Sequence, residues 1–220
     1  MSATAALARR FSSLYTGALT DVLDRHGHLQ QTLPHELAPL REGMRLAGPA
    51  YPVLGRPHPR HDYDTSIRLV LEMLGAVPAG HVAVYQTNDR TSAHLGELSV
   101  TSLASRGCAG AVLDGGVRDA DYILREDFPV FARYVTPQDC VPRWELLAHG
   151  GEVTIVIGGV RVAWGDWIVG DRDGLVVVPG GTVEEILAEA EQKVATEDEI
   201  RKSVRGGTPP LEAYERYGTF

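Results

Sequence analysis

At 220 residues, 44% hydrophobic and 23% charged, the chain is long enough for one substantial core and lacks the composition of a disordered or fibrous protein. Its formal net charge of -8 repels phosphate backbones, and no Lys/Arg-rich run offsets it, so no nucleic-acid partner is expected. Two isolated cysteines, Cys108 and Cys140, without a CxxC pair point to a reduced, cytoplasmic protein with no thiolate zinc site, and neither a signal peptide nor a bilayer-spanning apolar run is expected.

In chain order, Ala3 to Leu14 is rich in Ala, Leu and Arg and predicts a helix. Thr16 reads as the N-cap of a second helix through about Arg25, with Leu19, Val22 and Leu23 on one face and Gly27 at its end. Leu46 to Leu54 predicts a strand interrupted by prolines, and Arg56 to Asp64 a Pro- and His-rich loop. A helix is predicted over Ser66 to Leu74, a strand over His81 to Gln86, and a helix over His94 to Ser105. Ala109 to Leu113 reads as a buried strand, Asp119 to Arg125 as a short helix and Pro129 to Arg133 as a strand.

The second half is richer in strands. Val153 to Ile157, Val160 to Ala163, Trp167 to Val169 and Leu175 to Val178 alternate with Gly and Asp turns. Thr182 to Val204 predicts a long, charged helix, and the tail Gly206 to Phe220 is expected to pack on the body or on a neighbour. This is an α/β chain without the regular alternation of a doubly wound sheet or a barrel.

The segment Asp114-Gly115-Gly116-Val117-Arg118-Asp119 carries the most chemistry. A buried strand runs into two glycines, expected to turn sharply, and then presents a planar guanidinium beside a hard carboxylate. Such a pair suits an oxyanion and a divalent cation, although a tight turn with a surface ion pair needs the same residues. Gly96-Glu97-Leu98-Ser99 lies near a predicted helix start, where free amides can hold a substrate carboxylate; Glu97 could otherwise be a solvated cap. His58, His61 and Asp62 resemble a metal-ligand cluster, but their loop offers no rigid spacing. Gly165-Asp166 and Gly170-Asp171-Arg172-Asp173-Gly174 read as β-turns, since EF-hand spacing is missing. Cys108, next to an apolar run, reads as a core residue.

These segments together resemble the family of 4-hydroxy-4-methyl-2-oxoglutarate aldolases and regulators of ribonuclease E activity. The resemblance runs from about Thr16 to Phe220. It rests on Gly48-Pro49-Ala50, Gly96-Glu97-Leu98, the Gly115-Gly116-Val117-Arg118-Asp119 centre, Pro129-Val130-Phe131-Ala132 and Asp173-Gly174-Leu175-Val176-Val177-Val178-Pro179. It implies one RraA-like domain over 1–220, a swivelling β/β/α layered fold with a helical N-terminal segment (1–27) and a C-terminal helix and tail (182–220). It also implies homotrimers or homohexamers with sites between subunits.

The activity implied is that of a class II pyruvate aldolase, a carbon–carbon lyase. It would cleave a 4-hydroxy-2-oxo acid such as 4-hydroxy-4-methyl-2-oxoglutarate to pyruvate, with oxaloacetate decarboxylation as a side activity. By resemblance Arg118 holds the 2-oxo group, Asp119 ligates Mg or Mn, and Glu97 orders a water on the metal. Gly96, Leu98 and Ser99 hold the substrate carboxylate, and Glu197, or next Glu199, enters from a neighbouring subunit. No Lys occurs between Met1 and Gln192, which disfavours Schiff-base chemistry. The alternative is a non-catalytic regulator that binds and inhibits a ribonuclease.

Overall fold

The computed structural model describes residues 2–58 and 62–220. Helices α1 (Ala3–Ser12) and α2 (Thr16–Arg25) open the chain, followed by a short strand β1 (Ala38–Pro39) and a long strand β2 (Leu46–Pro57). Then come α3 (Tyr63–Ala76), β3 (Val82–Gln86), β4 (Ala93–Leu95), α4 (Glu97–Ser105), β5 (Gly110–Val117), α5 (Ala120–Arg125) and β6 (Val130–Val135). The rest comprises β7 (Trp144–His149), the hairpin β8 (Thr154–Ile157) and β9 (Val160–Ala163), β10 (Trp167–Asp171), β11 (Gly174–Val178), α6 (Val183–Arg205) and α7 (Pro210–Tyr217).

The main sheet runs in the order β1-β6-β5-β3-β2-β10-β11, with β4 also on β5 and β7 also on β2. Its centre is parallel: β2 on β3, β3 on β5 and β5 on β6. Central parallel strands must be apolar on both faces, and the residues alternate accordingly. Tyr51, Val53, Ala83, Tyr85, Ala111 and Leu113 face a cluster shared with Met73 and Leu74 of α3 and Leu103 of α4. Ala50, Val82, Val84, Val112 and Phe131 face the other way, onto Ile155, Ile157, Val160 and Val162 of the β8–β9 hairpin. A third cluster joins Trp167, Val169, Val176 and Val178 to Phe11, Leu19 and Leu23 of the first helices and to Ile186 and Leu187 of α6. The outcome is the α/β layered fold expected, with N-terminal helices and a long C-terminal helix.

Several local expectations are corrected. Thr16 is the first residue of α2, not its cap; its amide and hydroxyl both donate to the buried carboxylate of Asp171, each at 2.8 Å. A tertiary contact thus does the work of a local cap. The prolines do not interrupt β2: Pro49 is the last residue paired with β10, and Pro52 immediately precedes the first paired with β7. They sit where the strand changes partners, and a missing N–H is tolerated there. Arg56 and Pro57 belong to β2 and Tyr63 begins α3, so the expected loop is shorter than 56–64. The helix expected from His94 begins at Glu97, because Ala93 to Leu95 form β4 against the end of β5.

Close backbone approach is tested most sharply at Gly48, where an added Cβ would lie 2.4 Å from the carbonyl oxygen of Gly80 and 3.1 Å from the Ala109 side chain. Backbone cannot swing aside, so Gly48→Ala should destabilise the protein by ~1–3 kcal/mol. Gly75→Ala, inside α3 with nothing within 4 Å of the new methyl, should be neutral or stabilising by up to ~1 kcal/mol. Parallel denaturant titrations of the two variants check both expectations.

Candidate functional site

Two of the segments singled out in the sequence, Gly96 to Ser99 and Arg118 with Asp119, meet in one cleft of about 450 Å³. It is lined by Gly96, Glu97, Leu98 and Ser99, by Arg118 and Asp119, and by Asp139 and Cys140; α3 supplies an apolar wall. The first turn of α4 opens onto it, so the amides of Leu98 and Ser99, which have no acceptor one turn earlier, face a favourable place for a carboxylate.

Strand β5 brings the central pair to this point. The two glycines are not a sharp turn: Gly115 and Gly116 are buried strand residues. Their role is close approach. A Cβ on Gly115 would lie 2.7 Å from Thr87 Oγ1 and 2.9 Å from His94 Nδ1, and one on Gly116 would lie 2.3 Å from the Tyr134 ring. β5 can therefore run on past its neighbours, and the Arg118 amide still donates to the Leu95 carbonyl at 3.0 Å.

The turn falls one step later. Asp119 takes a left-handed conformation, φ 56° and ψ 35°, at the N-cap position of α5, without a capping bond from its side chain. Asp tolerates this region better than most residues, at a cost of about 1 kcal/mol or more. The twist carries its Oδ2 to within 3.2 Å of the Glu97 amide, tying the starts of α4 and α5 together. Gly96 is the required neighbour, since a Cβ there would stand 2.7 Å from that same Oδ2.

Arg118 is held between two carboxylates. Nε lies 3.6 Å from Asp119 Oδ2, and Nη1 lies 3.5 Å from Asp139 Oδ2. Sequence reasoning missed Asp139. It sits in an irregular segment without a motif, and only tertiary pairing with Ala93, through the Gln138 carbonyl (2.7 Å) and the Cys140 amide (3.1 Å), brings it to the cleft. Its Oδ1 accepts from the Val141 amide at 3.3 Å. Glu97 accepts from the Thr101 hydroxyl at 3.3 Å.

His94 also lines the cleft and belongs, with Asp89 and Asp114, to the buried polar residues. Asp114 pairs with Arg90 at 2.8 Å and with Arg133. Asp89 accepts from the amide and hydroxyl of Thr91 and from the Ser92 amide. Burial is the largest influence on its carboxyl, yet these bonds outweigh it and hold the pKa below the usual value. His94 lies 3.3 Å from Asp89, edge-on to Trp144. Burial pushes it down from 6.5 to about 4, against the opposing pull of Asp89 and Asp139. Cys140 is pushed up to about 12, chiefly by burial, so neither it nor the buried Cys108 is an activated thiol.

The remaining expected residues lie elsewhere. Glu197 pairs with Lys193 at 3.0 Å and with Arg201 at 3.1 Å on α6, and Glu199 pairs with Lys202; neither lines the cleft of its own protomer. His58 donates its amide to the Arg143 carbonyl, and Asp62 caps α3 through the Thr65 amide. His61 lies outside the described residues. Asp166 and Asp171 accept backbone amides, as turn residues do. Among the described residues, the group meeting ligand-to-ligand distances for a metal is His26, Glu185 and Glu189, on the α2–α6 surface.

In a comparison with family models, one described as RraA-like, Aldolase/RraA, matches residues 16–177. A protein of Halalkalibacterium halodurans, named as a candidate 4-hydroxy-4-methyl-2-oxoglutarate aldolase, is 28% identical over 206 residues, covering 93% of this chain and 91% of its own. A crystal structure of RraAS2 from Streptomyces coelicolor, named as an unusual member of the RNase ES inhibitor RraA protein family, aligns with a TM-score of 0.80 at 28% identity. That alignment covers 89% of this chain and 96% of the other. An uncharacterized protein from Pseudomonas syringae aligns with a TM-score of 0.82 at 27% identity, over 95% of this chain and 96% of its own.

The buried His94 sets a pH dependence. Its folded pKa, about 4, lies below the ordinary 6.5, so the unfolded chain binds a proton more readily. The stability conferred by keeping it neutral is complete above pH 6.5 and is lost as pH falls toward 4, by up to about 3 kcal/mol. Denaturant titrations from pH 7 to pH 4 should show wild type losing more stability than His94→Gln across that window.

Proposed function

The chain belongs to the Aldolase/RraA family, and on that premise we propose that its cleft is the active centre of a divalent-metal-dependent carbon–carbon lyase. Its substrate would be a 4-hydroxy-2-oxo acid, cleaved to pyruvate and a carbonyl product, with oxaloacetate decarboxylation as a side activity. The observation that carries this reading is the meeting of Gly96, Glu97, Leu98, Ser99, Arg118 and Asp119 in one cleft.

The donor set suits Mg or Mn. Asp119 presents a hard carboxylate at a half-exposed position; Mg in particular takes one or two protein carboxylates and fills its shell with water and substrate oxygens. Charge points the same way. Among the described residues the cleft carries three carboxylates, Glu97, Asp119 and Asp139, against one guanidinium, Arg118. An oxo-acid anion would meet net repulsion there unless a cation entered with it. The metal, held by Asp119, would supply a Lewis acid for the 2-oxo group.

The chain's own residues divide the remaining work. The amides of Leu98 and Ser99 hold the substrate carboxylate at the start of α4. Arg118 donates to the 2-oxo oxygen, where negative charge gathers as the C3–C4 bond breaks. Glu97, through a bound water, takes the proton of the C4 hydroxyl, and a proton returned to C3 completes pyruvate. Decarboxylation of oxaloacetate passes through the same enolate. No lysine lines the cleft among the described residues, which leaves no side chain there for Schiff-base chemistry.

We further propose that the working unit is a homotrimer or a multiple of it, with Glu197 reaching a neighbour's cleft. The half-exposed Arg118 and Asp119 and the exposed Leu98 and Tyr122 at the rim fit a cleft closed by a second subunit. Light scattering at micromolar concentration should give a multiple of three; a monomer would contradict this.

A regulatory reading is favoured by one observation, the likeness to RraAS2. Capture of a ribonuclease E by this chain, with no pyruvate released from any oxo acid, would support that reading over the enzyme. On the enzymatic reading, turnover should vanish with exhaustive EDTA and return with Mn. Asp119→Ala should abolish it, and Arg118→Lys should lose about two to three decades in kcat, because an ammonium cannot reproduce the planar two-pronged contact. Glu97→Gln should be milder. Thermal melts of each variant separate these losses from unfolding.

A further inference from the structure

One wall of the cleft takes no part in the chemistry above. It is the face of α3 formed by Tyr63, Ile67, Val70, Leu71 and Leu74, spaced i, i+4, i+7, i+8 and i+11, the spacing of one helical stripe. The lower part of this stripe is ordinary core: Leu74 is 2% exposed, and Ile67 and Val70 pack against the cluster beneath. The upper part is not. Tyr63 and Leu71 are 54% and 58% exposed yet still border the cavity. Apolar side chains left open beside an anion-binding centre are what a ligand's apolar group would cover.

The cleft's one guanidinium among the described residues is Arg118, outside α3. Arg118 is already engaged by Asp119 and Asp139, and the enolate oxygen needs it. Along the α3 wall, a second substrate carboxylate would meet aliphatic and aromatic carbon with the Tyr63 hydroxyl as its one polar group and no cation, and Glu97 and Asp139 stand elsewhere in the same cavity. Burying an ion against such a surface without a partner is costly, whereas an alkyl or aryl group there gains from every apolar atom covered.

We infer that the α3 stripe is the specificity surface of the site and that it selects 4-hydroxy-2-oxo acids whose C4 substituent is apolar over those bearing a second carboxylate. This rests on the lyase reading. The carboxylate, the 2-oxo group and the C4 hydroxyl occupy the polar end, C3–C4 cleavage leaves pyruvate there, and the departing aldehyde carries its alkyl or aryl group along α3.

The test compares pyruvate release from 4-hydroxy-2-oxo-4-phenylbutanoate and from 4-hydroxy-2-oxoglutarate, with Mn present, in wild type and in Leu71→Arg. Metal-dependent exchange of the pyruvate methyl protons for deuterium is followed by NMR in the same samples. That exchange needs only the polar end, so it reports on the lyase reading alone. Wild type should favour the phenyl substrate by at least about tenfold in kcat/KM. Leu71→Arg, at an exposed position, should fold, keep the exchange rate and shift the ratio toward the dicarboxylate by at least about tenfold. Exchange with a preference for the dicarboxylate in wild type overturns the inference and leaves the lyase reading standing. Absence of both exchange and cleavage overturns both. If mass photometry shows that Leu71→Arg breaks the oligomer while the substrate ratio stays unchanged, the stripe is a subunit interface and the inference fails.

Discussion

The site depends on how closely the end of β5 approaches what surrounds it. Gly115 and Gly116 leave no room for a Cβ against Thr87, His94 and Tyr134, so the strand passes its neighbours in full contact. Arg118 and Asp119 then emerge beside the first turn of α4 instead of short of it. The left-handed Asp119 and the bare Gly96 complete the junction, and the Asp119-to-Glu97 hydrogen bond fastens the two helix starts. Any side chain at these glycines would separate the guanidinium from the amides with which, on the proposed reading, it shares the substrate. Buried polar residues flank the same stretch of chain. Asp114, in the strand itself, is pinned by Arg90 and Arg133, and Asp89 with His94 supports the β4 side.

Electrostatics then decide what the cleft can hold. One guanidinium facing three carboxylates is a poor receptor for an anion by itself and a good one for an anion that arrives with a divalent cation. Arg118 is already engaged by Asp119 and Asp139, so on the proposed reading little reorganisation would be needed as charge develops on a 2-oxo oxygen. The depressed pKa of His94 keeps a buried imidazole from adding positive charge under the site at neutral pH. The open, half-exposed mouth contrasts with the buried Asp89, His94 and Asp114, and on the proposed reading it is the part that a neighbouring subunit or a substrate substituent would cover.

How much of this was legible in the residues follows from the kind of signal each element carries. β3 and β5 are apolar on both faces, and long buried runs stand out in sequence. β11 was legible for the same reason, and α6 as a long, charged run without helix breakers. β7 was not: Trp144–His149 is only partly buried along its length and shows no clean alternation. The Arg118–Asp119 pair and the Gly96–Ser99 segment were legible as candidates because glycine, charge and a helix start coincide there. Their meeting in one cleft follows from sheet order, which the residues do not spell out. Asp139 and the capping of α2 by Asp171 were invisible for the same reason, since both are contacts across long stretches of chain. The two glycines were expected to turn sharply; they serve instead to pack the strand against Thr87, His94 and Tyr134, and the turn comes at Asp119.

The most direct test of the central claim is anomalous diffraction from crystals grown with Mn and oxalate, a stable mimic of the pyruvate enolate. The account predicts a manganese peak bonded to the Asp119 carboxylate, with oxalate chelating the metal, one oxygen toward Arg118 and a carboxylate against the Leu98 and Ser99 amides. A peak at His26, Glu185 and Glu189 with none at Asp119, or oxalate bound away from Arg118, would contradict it.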